Sequence, residues 1–308
     1  MKVLCIGAAV IDVLARPIGK QDEWKEKQRI SEIAIRAGGD AVNESIFLAA
    51  LGMDPGVNIC IGKDTNGGML RGVLQQSGVD ISCVREKEDY PTGTAIVLVD
   101  DRGERHIFSV DGAHASICRD DLPARLPEGL KAVSLASLFG MDRLEENGLE
   151  EFLKNARNRG ILTFADMLSD KHARGLNGIR HLIPQLDYFL PSDYEAMALT
   201  GSKTIPECAK MLRELGAGTV VIKCGADGVY VCSPDFRGQI PAVPVKPLDT
   251  TGAGDCFAAV FIACILKGMA VEQSCVTACA AASYSTQFAG ASTAPLSWAI
   301  IEKLMDGQ

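Results

Sequence analysis

The stretch Asp249-Thr250-Thr251-Gly252-Ala253-Gly254-Asp255-Cys256-Phe257 brings two carboxylates, two threonine hydroxyls and two glycines within nine residues. Gly252 and Gly254 reach backbone angles closed to other residues, so the amides of Gly252, Ala253 and Gly254 can converge on one point with no side chain in the way. Phosphate suits such a point. Beyond Phe257, the residues Ala258, Ile262, Ala263 and Leu266 are spaced to share one face, which predicts that the loop opens a helix whose positive end adds to the pull on an anion. Asp255 closes the loop. An anion repels a neighbouring carboxylate, so a structural role there is costly, whereas a proton acceptor is useful. Asp255 could take the proton of a hydroxyl attacking a phosphoryl group while the three amides stabilise charge on the transferred oxygens. The plainer reading is a glycine turn in which Asp255 caps the helix. It accounts for less of the pattern.

A second stretch, Ala37 to Leu51, places Gly38 and Gly39 before a helix-like run with Val42, Ile46 and Ala49 or Ala50 on its buried face. The glycines would let a substrate approach the backbone, and Asn43 carries both a donor and an acceptor, as binding a sugar hydroxyl requires. Asp40 either touches substrate or caps the helix. Lys223-Cys224-Gly225-Ala226-Asp227-Gly228 follows a strand-like run and has room for a nucleotide's phosphates or ribose. It reads equally as a tight hairpin turn. Pro191-Ser192-Asp193-Tyr194-Glu195 has the spacing of a capping box, with Ser192 as cap and Glu195 three residues on.

The rest of the chain must position these groups. A length of 308 residues with 47% apolar residues and 31 glycines fits a soluble α/β enzyme with one large core. The formal charge of −8, with no long basic run, argues against a nucleic-acid or anionic-membrane surface. Eleven cysteines, scattered singly with no CxxC pair, suit buried thiols in a reducing compartment, and Cys275 and Cys279 read as core. Met1 to Ala15 superficially resembles a secretory signal, but Asp12 interrupts it and Val3 to Ile6 reads as an inner strand. Phe257 to Leu266 is too short to span a bilayer before Lys267. A cytoplasmic protein is expected.

Val3–Ile6, Val133–Leu138, Gly160–Phe164, Tyr188–Leu190 and Thr219–Ile222 are apolar runs, most of them separated by helix-like segments. That alternation predicts a doubly wound, mostly parallel sheet flanked by helices. Ile59–Gly62 reads as a further strand and turn, and Leu70–Gln76 as a helix. Ile11–Arg16 with Ile30–Arg36, and Thr94–Val99 with Arg105–Val110 across Asp100-Asp101-Arg102-Gly103, read as two hairpins.

The Asp249–Phe257 segment resembles the second signature of the ribokinase-like (phosphofructokinase-B) carbohydrate kinases, and Gly38-Gly39-Asp40-Ala41-Val42-Asn43 resembles their first. The resemblance covers essentially the whole chain. It implies a single catalytic domain over 1–308, with a small inserted β-sheet lid from about 11–36 and 91–112, and two copies paired through their lids. It implies an ATP-dependent kinase with Asp255 as catalytic base and the Gly252–Gly254 amides as anion hole. Asp12, Gly39 and Asn43 would hold a sugar, with Gly38 and Asp40 beside them. Lys223, Gly225 and Gly228 would lie along the nucleotide, and Ser192 stands where the family places an Asn on phosphate. Glu195 would support Mg2+ through water. Asp249, Thr251, Ala289 and Thr293 would hold a monovalent cation, potassium by analogy, although Gln287-Phe288-Ala289-Gly290 departs from the commoner family sequence. No GxxxxGK[ST] loop and no GxGxxG after the first strand is present, so neither a P-loop nor a dinucleotide-binding site is expected.

Acids converge on the acceptor side and no cation is assigned there, so a small neutral sugar, as for a ribokinase or fructokinase, is expected rather than an anionic one. The alternatives are a nucleoside kinase or a 2-keto-3-deoxygluconate kinase of the same family. Relatives of the last type carry an Arg after the strand that here ends in Phe164-Ala165-Asp166-Met167-Leu168, and this chain has none there. Arg102, Arg105 and His106, on or beside the second hairpin, are basic residues that could fold over a substrate. A sugar-binding sensor without activity is the alternative from another class, and it leaves Asp255 unexplained.

Overall fold

The computed structural model describes residues 1–19, 27, 29–100 and 105–306. The chain runs through β1 (Val3–Ile6), β2 (Val10–Ile18), β3 (Glu32–Gly38), β4 (Pro55–Asn58), β5 (Cys60–Gly62), β6 (Arg85–Lys87) and β7 (Gly93–Asp100). It continues through β8 (Arg105–Val110), β9 (Ala132–Leu138), β10 (Leu162–Met167), β11 (Tyr188–Phe189), β12 (Thr219–Lys223), β13 (Val229–Cys232) and β14 (Arg237–Ile240).

The main sheet has the order β14-β13-β12-β11-β10-β9-β1-β4. It is parallel from β4 to β12, with β13 and β14 added antiparallel at one edge. Every residue of β1 and of β9 is buried, as continuous apolar strands covered on both faces must be. Helices Asp40–Ala50, Thr65–Gln76, Ala253–Leu266 and Val271–Ser285 cover one face, and Leu149–Asn158, Asp193–Thr200 and Ile205–Glu214 the other. This is the doubly wound architecture expected. Its strand order reverses between β1 and β9, the place where such sheets open a crevice at their carboxyl ends.

Two expectations about helix faces need correction. Ala253–Leu266 begins four residues earlier than the apolar run suggested and is buried at every position from Cys256 to Cys264, because it packs against the sheet and two other helices. Asp40–Ala50 buries Ala41 to Ser45, Phe47 and Leu48, while Ile46 and Ala49 are half-buried and Ala50 is exposed. Both are central helices, for which a one-sided stripe is the wrong template.

A separate four-stranded sheet has the order β3-β2-β7-β8: two antiparallel hairpins joined by the parallel β2–β7 pair. Register puts Ile35, Val13, Ile96 and Phe108 in one row and Arg36, Asp12, Ala95 and Ser109 in the next. Side chains alternate along a strand, so these rows face opposite ways. His106 pairs with Leu98 and lies on the Ile96 side, away from Asp12, so it is not the acceptor-side cation that the hairpin suggested. Arg102 and the Arg105 side chain lie outside the described residues, as does the turn at 101–104. Among the described residues no helix is long and apolar enough to cross a membrane.

Candidate active site

Gly252 is the N-cap of the helix Ala253–Leu266, with φ 75°. A Cβ there would lie 2.7 Å from the Ala291 backbone, so both the left-handed angle and the close approach require glycine. Asp255 stands in the first turn and makes no cap bond, which sets aside the capping reading. Its Oδ2 instead accepts from Asn43 Nδ2 at 2.7 Å. Asn43 is buried in the first turn of the facing helix, and its Oδ1 has no hydrogen-bond partner. A carboxylate only accepts, so this bond fixes which way the amide points and leaves an acceptor aimed away from Asp255.

Lys223 at the end of β12 forms an ion pair with Asp166 at the end of β10. Its Nζ lies 3.3 Å from where a Gly254 Cβ would stand, beside the converging amides. Burial pulls the Lys223 ammonium down, but Asp166, Glu195 and Asp255 outweigh it and the net shift is upward. The ammonium therefore stays charged. Burial pushes Asp166 up to about 7, with Lys223 opposing and Glu195 reinforcing. The two partners thus pull in opposite senses, and the charged ammonium is the firmer member because several carboxylates face it. Asp255 is raised by burial against the Asn43 hydrogen bond and Lys223. Asp40 is held well above the usual carboxylate range by burial, then by Asp255 and Asp166. Its Oδ2 accepts from Ser137 Oγ at 2.9 Å, and that hydroxyl accepts from the Ala8 amide at 3.0 Å. Asp40, Ser137 and Ala8 meet where the strand order reverses.

The two glycines before Asn43 also meet a packing requirement. A Cβ on Gly38 would lie 2.9 Å from Asp12 Cγ, and one on Gly39, where φ is 95°, would lie 2.5–2.8 Å from the Ala8–Ala9 backbone. Both glycines are therefore required by close approaches within the protein itself. Asp12 packs on Gly38, and burial raises its carboxyl to about 6.

On the other side of the Ala253 helix start lies a cavity of about 510 Å³, lined by Lys223, Gly225, Gly228, Val243, Phe257 and Ser283 among others. Gly225 to Gly228 turn the β12–β13 hairpin, and Gly225, Ala226 and Gly228 also line this cavity. Ser192 and Glu195 form the capping box: Ser192 N donates to Glu195 Oε2 at 2.8 Å and Glu195 N to Ser192 Oγ at 3.3 Å. Among the described residues no group of three or more His, Cys, Asp or Glu could hold a metal ion by itself. Asp166 and Glu195 around one ammonium still suit a magnesium ion whose remaining ligands are phosphates and water.

Asp249, Thr251, Ala289 and Thr293 do come together. Asp249 Oδ1 accepts from Thr251 N at 2.9 Å and Thr251 Oγ1 at 2.6 Å, and its Oδ2 accepts from Gly290 N at 2.9 Å. Thr293 Oγ1 donates to Ala289 O at 2.9 Å. The same carbonyl accepts from the guanidinium of Arg36.

Sequence reasoning missed Ser137, the pairing of Asp166 with Lys223, and Arg36. The first two elements sit at carboxyl ends of parallel strands, which is where the signal lay.

The model of the pfkB family carbohydrate kinases matches residues 1–299. An ATP-dependent ribose-1-phosphate kinase of Halopiger xanaduensis is 28% identical over 97% of this chain and 97% of its own length. A ribokinase of Haemophilus influenzae is 27% identical over 83% of each chain. The crystallised ribokinase of Arabidopsis thaliana with ribose and ATP superposes with a TM-score of 0.80 at 23% identity, covering 99% of this chain and 98% of its own, which shows a shared fold.

Asp12 has a pH consequence. Its carboxyl keeps a proton up to about 6 in the folded chain against an ordinary 3.8. The stabilisation is therefore complete at low pH and is lost as pH rises through about 6. Asp12→Asn removes that dependence, so from about pH 5 to about pH 8 the variant should gain about 1 kcal/mol relative to the native chain. Paired denaturant titrations read the difference, and parallel curves would show that Asp12 is already ionised.

Proposed function

We propose, since the chain belongs to the pfkB family of carbohydrate kinases and is thus a sugar phosphotransferase, that it moves the γ-phosphoryl group of ATP to a hydroxymethyl group of a small neutral sugar. The observation that carries this reading is the 2.7 Å Asn43–Asp255 hydrogen bond at a helix start, with the buried Asn43 Oδ1 left without a partner. One acceptor hydroxyl would give its proton to the raised Asp255 carboxylate as its oxygen bonds to phosphorus and the bond to the ADP oxygen breaks. A second hydroxyl would donate to Asn43 Oδ1, and Asp12 and Asp40 would complete the polyol's hydrogen bonds behind Gly38 and Gly39.

The amides of Gly252, Ala253 and Gly254, with Lys223 beside them, would take the charge that develops on the transferred oxygens. The nucleotide would occupy the cavity along Gly225 and Gly228, with Ser192 near its phosphates. Magnesium, held through Glu195 and Asp166 with water and phosphate, would neutralise the phosphate charge.

A neutral acceptor follows from the charge balance. Asp12, Asp40 and Asp255 line the acceptor side, while Lys223 is engaged by Asp166 and Arg36 by the Ala289 carbonyl. The Halopiger relative is named for a sugar phosphate and the Haemophilus relative for a neutral sugar, so the family itself spans both. Two chains would pair through the outer lid face, where Ile33, Ile35, Ile96, Phe108 and Val110 are 46–68% exposed.

ADP release measured over matched acceptors should favour a neutral pentose, hexose or nucleoside over 2-keto-3-deoxygluconate and sugar phosphates by about tenfold or more in kcat/KM, or about 1.4 kcal/mol. An anionic acceptor in first place would overturn this reading of the site. Asp255→Asn should lower kcat by about two orders of magnitude or more with acceptor affinity changed only several-fold. Turnover close to native in that variant, correctly folded, would remove Asp255 from the chemistry.

For the lid, light scattering at micromolar concentration should give a dimer for the native chain and a monomer for Phe108→Glu. A native monomer would rule the pairing out.

A further inference from the structure

The family resemblance implies a monovalent cation in the loop after the helix Val271–Ser285, and the groups found there do not fit one. Asp249 Oδ1 accepts from both the amide and the hydroxyl of Thr251, and its Oδ2 accepts from Gly290 N, at 2.6–2.9 Å. Thr293 Oγ1 points its proton at the carbonyls of Ala289 and Gly290, at 2.9 and 3.1 Å. The Ala289 carbonyl also accepts from Arg36 Nη1, and a Cβ added to Gly290 would overlap that guanidinium. A positive charge already stands where a potassium ion would need carbonyl oxygens.

Arg36 comes from the lid. It lies on β3, directly across from Asp12 on β2, on the face turned toward the acceptor side. Glu32 holds it from one turn of pleat away, with Arg36 Nη2 at 3.6 Å from Oε1 and Arg16 Nε at 2.7 Å from Oε2. Arg16 and Glu32 border a cleft of about 770 Å³ between the lid and the loop 247–251. A short path then leads to the converging amides. Ala289 precedes Gly290, whose amide binds Asp249, and Asp249 binds Thr251. Gly252 packs on the Ala291 backbone.

We propose that Arg36 is the built-in cation of the 289–293 loop. The chain then needs no monovalent ion there, and the lid strand positions the converging amides through the guanidinium. Arg36 is a positioning residue, since it touches neither acceptor nor phosphate. The link to the amides rests on the phosphotransferase reading above, but the filling of the loop by Arg36 does not.

The test compares potassium chloride with tetramethylammonium chloride at equal ionic strength, reading thermal melting without nucleotide and ADP affinity by calorimetry. The native chain should melt within about 1 °C in the two salts and bind ADP equally, because no ion site is open to couple to folding. Arg36→Met should bind ADP about tenfold more weakly in tetramethylammonium and gain a saturable response to potassium in both readouts. A merely structural loss would not create that response. A saturable effect of potassium on the native chain, or an Arg36→Met variant indifferent to the salt, would overturn the proposal. If Arg36→Met does not fold, Arg36→Gln is read in the same way and the native-chain comparison stands alone. Because melting needs no catalysis, an inactive but salt-indifferent native chain would refute the kinase reading and leave the built-in cation intact.

Discussion

The structure depends on how one ammonium group balances several buried carboxylates. Lys223 faces Asp166, Glu195 and Asp255 at the carboxyl end of the sheet, and Asp40 adds to the field. Buried charges of one sign are tolerated only if they are paired, hydrogen-bonded or neutralised by protons. All three devices are present. Asp166 is paired with Lys223, Asp255 takes a hydrogen bond from Asn43, and burial with the neighbouring carboxylates pushes Asp40 toward its protonated form. What remains is Asp255 at the positive end of a helix, its carboxyl raised by burial against the Asn43 hydrogen bond and Lys223. The same excess of negative charge is the ground on which we propose a neutral acceptor rather than an anionic one.

Fold topology explains why these groups meet. Ala8 follows β1, Ser137 is in the last turn of β9, Asp166 closes β10 and Lys223 closes β12, so four parallel strands deliver their carboxyl ends to one rim. The helices Asp40–Ala50 and Ala253–Leu266 then bring their starts to that rim from the same side of the sheet. Each of the two starts needs a glycine, but for the protein's own sake: Gly39 clears the Ala8–Ala9 backbone and Gly252 clears Ala291. The signatures are thus as much packing requirements of two buried helix starts as they are ligand sites.

That distinction decides what the sequence could show. Asp249 to Phe257 was legible because turn, acid and helix lie within nine residues, and the Ser192–Glu195 capping box because its partners are three apart. Pairings across the fold were not. Asn43 and Asp255 are 212 residues apart, Asp40 and Ser137 97, Asp166 and Lys223 57, and Arg36 and Ala289 253. The sequence displays both ends of each pair without the register that joins them. Missed strands follow a different rule. β4 reads Pro-Gly-Val-Asn and β14 reads Arg-Gly-Gln-Ile, both poor in strand signal, and both are edges of the main sheet, where Pro and polar residues are tolerated.

The lid shows why alternation alone misleads about function. Along β3 the apolar Ile33 and Ile35 alternate with Ala34 and Arg36, a pattern that would ordinarily turn the isoleucines to the core. Here they are 68% and 56% exposed, and the polar side faces inward. The inversion is stable because the inner face meets a cleft bounded by Asp249 and Thr251 rather than an apolar core, so Arg16, Glu32 and Arg36 find partners there. One strand therefore carries two faces, an exposed apolar outer one and an inner one whose Arg36 reaches the Ala289 carbonyl. A displacement of β3 moves both faces together. The outer isoleucines and the contact of Arg36 with the Ala289 carbonyl thus ride on a single strand.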